Sequence, residues 1–186
     1  GYNTNRGLRI DIKLRPDTLE GFYPYNFLVS TLIHELSHNW VGEHNALFWT
    51  NYAQMRVEYF HRHAAMAAVG YRVQGQTTAQ LAGVEKACAG GMQSICEAVR
   101  YDCAKEMRPH GIPVNVVLPH IMAKAQELPS IDVAAETLRS ELGLTGQKLG
   151  GENDLGGGSA RELALAAAER RAQRHKSEKD DSRPAQ

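Results

Sequence analysis

The chain has 186 residues with zero formal net charge and 42% hydrophobic residues. That length suits one domain with room for a tail, and the balanced charge gives no global field toward nucleic acid or membranes. Cys88, Cys96 and Cys103 are odd in number and form no CxxC pair, which argues against a disulfide framework or a cysteine metal site and points to a reducing compartment.

No stretch approaches the ~20 apolar residues of a membrane span, and no signal peptide is visible. The chain opens on Gly1 in mid-pattern, so a preceding N-terminal piece is expected. Residues 1–7 are polar and turn-rich. From Leu8 to Arg15 apolar and polar residues alternate with period two, which predicts a strand with one buried face, ended by Pro16. Arg9, Lys13 and Arg15 fall on its outward face and read as solvated. A strand edge beside a cleft can also pair with an extended substrate.

Residues 17–24 read as a loop. A helix is expected from about Tyr25 to Trp40, because Leu28, Leu32, Ile33, Leu36 and Trp40 recur at helical spacing. The same helix carries His34-Glu35-Leu36-Ser37-His38, an HExxH motif, and a third histidine, His44, follows ten positions after the first. Residues four apart share a helical face, so His34 and His38 can offer two imidazoles to one metal ion. Glu35 projects beside them, where a carboxylate can take a proton from water. Gly42 is expected to let the chain leave the helix sharply and swing His44 back as third ligand. Glu43 is the local alternative for that position, and His110 or His120 compete only if the fold brings them near. Three protein ligands with one open position fit a catalytic zinc rather than a structural one.

Asn45 is a good N-cap for a second helix from Ala46 to about Ala68. Phe48, Trp49, Tyr52, Met55, Tyr59 and Phe60 give it a core face, and Phe48 or Trp49 can also support the ligand geometry from behind. His61 and His63 lie two apart, share no helical face and read as surface residues; Met66 reads as core. Residues 70–75 break the pattern. A third helix is expected over 79–107, capped by residues 76–78 and interrupted near Gly90-Gly91, with the three cysteines as buried, inert thiols. Val114 to Leu118 reads as a short strand or extended run, Ile121 to Glu127 as a short helix, and Ser130 caps a last one to Leu142, ended by Gly143.

Residues 143–158 are Gly-rich but lack the Lys-Ser/Thr of a phosphate loop, so they read as a linker or peptide motif. Ser159 to Glu162 is a capping-box pattern opening an Ala-rich helix to about Arg174, with Arg161, Arg170, Arg171 and Arg174 exposed. These arginines can contact phosphates, although Glu162, Glu169 and the acidic run from Glu178 oppose that. Residues 175–186 have the composition of a disordered tail.

Taken together, His34-Glu35-Leu36-Ser37-His38-Asn39, Gly42, His44-Asn45 and Phe48-Trp49 resemble the WLM domain, a metalloprotease family related to the SprT-like group. Gly1-Tyr2-Asn3 and Ile12 to Arg15 resemble the family's lead-in, and Gly146 to Gly151 with Ala166 to Arg171 resemble its Leu-Gly-Gly segment and Ala-Ala-Glu-Arg helix. Glu43 departs from the proline common before the third histidine. The resemblance implies an α+β, zincin-like minimal metalloprotease, mostly helical with a small sheet beside the active-site helix. It implies Zn2+ held by His34, His38 and His44, with Glu35 as general base. It further implies protein substrates crosslinked to DNA, links to ubiquitin or SUMO conjugates, an AAA+ segregase partner, and a nuclear or cytoplasmic location. The expected layout is a protease core over 1–70, a helical extension over 71–142, the Gly-rich segment and Ala-rich helix over 143–174, and the tail. A different class of function stays open: an adaptor whose zinc domain is a binding module and whose Gly-rich segment recruits the segregase.

Overall fold

The computed structural model describes residues 1–143. The Gly-rich segment beyond Gly143, the Ala-rich helix and the tail expected above lie outside the described residues.

The chain starts with a two-stranded antiparallel hairpin, β1 (Tyr2–Thr4) and β2 (Arg9–Asp11), in the register Tyr2–Asp11, Asn3–Ile10 and Thr4–Arg9. The strand expected over Leu8 to Arg15 is therefore shorter. It pairs with β1 over Arg9–Asp11, and the alternation continues to Arg15 without a ladder. The tip turns through three consecutive left-handed residues, Asn5 (φ 50°), Arg6 (φ 53°) and Gly7 (φ 95°).

Helix α1 (Tyr25–Ser37) starts where the Pro24 carbonyl accepts the amides of Phe27 and Leu28. It is expected to reach Trp40 but stops earlier: His38, Asn39 and Trp40 continue in tight turns bonded to Glu35, Leu36 and Ser37, and Trp40 stands exposed. Ile33 is buried, and so are Glu35 and Ser37 on the same helix. The apolar stripe and the polar, site-bearing stripe thus share one narrow helix.

The centre of the fold is α2 (Ala46–Ala68), with Asn45 accepting the amides of Leu47 and Phe48 at its N-cap, as its sequence predicts. Phe48, Trp49, Tyr52 and Val57 are sequestered from solvent at 0%, 0%, 1% and 0% exposure. Burying each such side chain stabilises the fold by roughly 1.5–3 kcal/mol. Around α2 pack α1, α3 (Thr78–Ala82), α4 (Glu85–Ala89), α5 (Gly91–Met107), α6 (Leu118–Glu127) and α7 (Ile131–Glu141). A second hairpin, β3 (Arg72–Val73) with β4 (Gln76–Thr77), leads into a capping box at Thr77 and Gln80.

Where one helix is expected over 79–107, three form. Gly83 ends α3 in the left-handed region at φ 67°, and Gly90-Gly91 separate α4 from α5. The run expected as a strand is a 3-10 turn, Val114–Val116, leading directly into α6; Pro113 cannot donate to a ladder, and among the described residues no strand borders it. His61, read as a surface residue, is buried at 5% exposure, its Nε2 2.8 Å from the Pro129 carbonyl. That bond ties α2 to the segment entering α7. The side chain of Arg56 on α2 is likewise buried and pairs with Asp102 on α5. Among the described residues, no helix is long and apolar enough to cross a membrane.

Candidate metal centre

The last turns of α1 and the loop to α2 bring His34, His38 and His44 together, with one nitrogen from each lying within 4.8 Å of the others. His34 Nε2 and His44 Nε2 are 2.9 Å apart. Two nitrogens bound to one tetrahedral zinc at ~2.0–2.1 Å stand about 3.3 Å apart, so the separation suits a shared ion with a small adjustment. The His34 and His38 rings are 5.0 Å apart, and His38 and His44 4.9 Å. The only donors in the cluster are imidazole nitrogens, a set that suits zinc and other borderline transition metals.

Each ring has a reason for its place. His38 holds its Nδ1 3.0 Å from the Val41 carbonyl; with Nδ1 protonated for that bond, Nε2 keeps its lone pair for a metal. Phe48, the first buried residue of α2, packs against all three rings at centroid distances of 4.9, 4.6 and 4.7 Å. Trp49 backs His34 and His44 at 6.1 and 6.0 Å. The apolar start of α2 therefore forms the wall behind the site, as the sequence suggests for Phe48 and Trp49.

Burial first, then the nearby His44, His38 and His110 rings, pushes the His34 imidazole down to about 4. Burial, followed by His110 and His38, lowers His44 as well. Metal binding needs neutral imidazoles, and at neutral pH both of these are held in that form.

Glu35 is buried at 6% exposure, and it lines the open cleft together with the three histidines, Asn5 and Arg6. A larger cavity of about 830 Å³ between α1, α2 and α5 also reaches His34 and Glu35. Asn3 of β1 donates to the Glu35 backbone carbonyl at 2.5 Å and to Asn39 Oδ1 at 2.7 Å, while its own Oδ1 accepts the Gly7 amide at 2.7 Å. One side chain thus pins the hairpin to the end of α1. The fit is close at two places, where a larger residue would force a side chain to shift: a Cβ on Gly7 would stand 2.7 Å from Asn39 Oδ1, and one on Gly1 would stand 2.6 Å from Glu35 Oε1.

Gly42 behaves differently from the sequence expectation. Its φ lies outside the left-handed region, and a Cβ there would meet nothing within 4 Å. The turn that returns His44 is made by backbone bonds instead: Val41 N to Ser37 O at 3.4 Å, and Asn45 N to Glu43 O at 2.8 Å. Glu43, the alternative third ligand, is exposed and outside the cluster. His110 is brought near: its ring stacks on His44 at 4.5 Å and 26°. Neither it nor His120 belongs to the three-histidine cluster that could hold a metal ion. No spacing rule connects His110 to the motif, so sequence reading could name it only as a conditional competitor. The cysteines stand apart from the cluster, Cys96 and Cys103 buried and Cys88 partly buried.

A helix presenting HExxH, closed by a third histidine and flanked by an edge hairpin, is the centre of a zincin-like metallopeptidase fold. Residues 1–108 match the WLM domain, and the chain belongs to that family. It is 47% identical over 58 residues to a Schizosaccharomyces pombe protein named DNA-dependent metalloprotease WSS1 homolog 2, covering 31% of this chain and 21% of that relative. It is 32% identical over 76 residues to a second S. pombe protein, DNA-dependent metalloprotease WSS1 homolog, covering 41% of this chain and 27% of the relative. The chain thus spans only about a quarter of the length of the curated relatives it matches. No solved structure matches.

Proposed function

We propose that the chain is a zinc-dependent endopeptidase. The observation that carries this reading is the placement of the Glu35 carboxylate in the same cleft as three converging imidazoles. His34, His38 and His44 would hold the ion. When bound, zinc supplies Lewis acidity toward water and toward the scissile carbonyl. Glu35 takes the proton from the attacking water and returns it to the leaving amine. Its main chain is fixed by Asn3, so the carboxylate acts from a braced position. The β1 edge borders the cleft through Tyr2 and Asn3, where an extended substrate can lie alongside it.

Proteins crosslinked to DNA are the proposed substrates, with DNA as activator. Support comes from the DNA dependence in the names of both S. pombe relatives. A nuclear or cytoplasmic site of action goes with that reading. Ubiquitin or SUMO conjugates and a segregase remain the proposed wider partners, resting on the family resemblance.

The test is cleavage of a protein substrate by the zinc-loaded chain, with and without single-stranded DNA, for wild type and Glu35→Gln. The expected result is zinc retained by both proteins, turnover lost in Glu35→Gln, and DNA stimulation that falls steeply with salt. Undiminished proteolysis by Glu35→Gln removes the assignment. Zinc binding without turnover in the wild type favours an adaptor.

A further inference from the structure

The geometry points to His110 as the residue that positions the third ligand, His44, by stacking on its ring. This rests on the reading that His34, His38 and His44 hold zinc. His110 ends the 3-10 turn Arg108–His110 at the foot of α5, just past the residues that match the family. Fully buried Met107 anchors that turn to the core, and Gly111 closes it at φ 68°.

The three ligand rings differ in what orients them. His34 projects from the helix itself. His38 is fixed through its second nitrogen by the Val41 carbonyl. His44 lies on the loop between α1 and α2, beside exposed Gly42 and Glu43, and among the described residues its second nitrogen has no hydrogen-bond partner. Metal-binding histidines normally have such a partner, and its loss weakens metal affinity about ten- to a hundredfold.

In place of a hydrogen bond, His44 is clamped between rings. Phe48 meets it at 4.7 Å and 66°, and His110 lies nearly parallel to it at 4.5 Å and 26°. Trp49, wholly buried, steadies His110 in turn at 5.3 Å. Stacking at this separation is an attractive arrangement of aromatic rings. It leaves His44 Nε2 free toward His34, so the stack restricts ring rotation without competing for the metal.

The experiment is zinc affinity by chelator competition on the full chain in a Glu35→Gln background, where no proteolysis interferes. It compares His110 with His110→Ala, His110→Phe and His110→Gln. Cobalt-substituted absorption spectra report the coordination of each. His110→Ala and His110→Gln should weaken zinc binding about five- to tenfold. His110→Phe, which keeps the stack and loses both nitrogens, should return to within about twofold of the parent, with the cobalt spectrum unchanged throughout. Equal loss in His110→Phe and His110→Ala with an altered cobalt spectrum would make His110 a ligand and overturn the proposal. Parent-like affinity in His110→Ala would overturn it as well. Because affinity is read without turnover, a chain that proves to have no peptidase activity leaves the test intact.

Discussion

The Asn3 side-chain amide donates to the main-chain carbonyl of Glu35 at 2.5 Å, across 32 residues of sequence. The hydrogen bond belongs to the backbone of the proposed base, not to its carboxylate. It therefore controls where the base stands without altering its chemistry. Replacing Asn3 by Ala leaves the Glu35 carbonyl, Asn39 Oδ1 and the Gly7 amide without their partner, a loss of roughly 1–3 kcal/mol. We expect Asn3→Ala to lower the urea midpoint and to reduce kcat more than it raises KM. An unchanged kcat would show that the hairpin only covers the helix.

Two glycines should respond oppositely to the same substitution. Gly7→Ala forces a Cβ into Asn39 at 2.7 Å while holding φ at 95°. It should destabilise the chain by about 1–3 kcal/mol. Gly42→Ala meets nothing within 4 Å. It should leave zinc affinity within about twofold of wild type, a change under ~0.5 kcal/mol. Paired denaturation and chelator-competition curves decide both.

Acid should weaken the metal-free protein through His34 and His44. Each has a folded pKa below its usual 6.5, that of His34 at about 4. The unfolded chain then binds protons more readily than the folded one below pH 6.5. Stability from these groups is fully present above that pH and is lost as pH falls toward 4. The denaturation midpoint of the metal-free chain should drop over this window, and His34→Gln should flatten the drop. An equal slope in the variant would assign it to other groups.

Arg56 is buried at 3% exposure and bonded to Asp102, while its Nε and Nη1 find no partner among the described residues. Its guanidinium also lies 4.6 Å over the Phe60 ring. Asp102→Ala strands the charge and should cost about 3 kcal/mol or more. Arg56→Met combined with Asp102→Ala should recover a large part of that loss, measurable in a double-mutant cycle by urea unfolding. Purely additive losses would show that the two groups act independently.

Burial pushes the Cys103 thiol up to about 12 and raises those of Cys88 and Cys96. Thiolate is the reactive form. Native protein should therefore resist alkylation at Cys103 for as long as it stays folded, while urea exposes it. Rapid labelling of Cys103 in the native chain would contradict the packing of α5.

The helices bearing the site were legible in the sequence because local rules decide them. The spacing of His34 and His38 is a helical repeat, and the Asn45 cap needs only its own two following amides. Features set by distant chain were not legible. His61 is buried because the Pro129 carbonyl arrives beside it. His110 reaches His44 through the course of α5, which no periodicity encodes. Gly42 misled for a related reason: a glycine in a turn suggests left-handed geometry, yet the neighbouring backbone bonds already make this bend.

The loop from His34 to His44 also bears on how the centre assembles. All three clustered histidines sit on one helix end and the short loop after it. Closing so short a loop costs little chain entropy, and the cost grows only slowly with length. On the proposed zinc reading, a nascent chain would gather these rings around an ion once α1 has formed, before the downstream helices exist. The clamp on His44 can close only after α5 has docked against α2. Loose capture would come early and tight retention late, making metal hold a readout of completed folding.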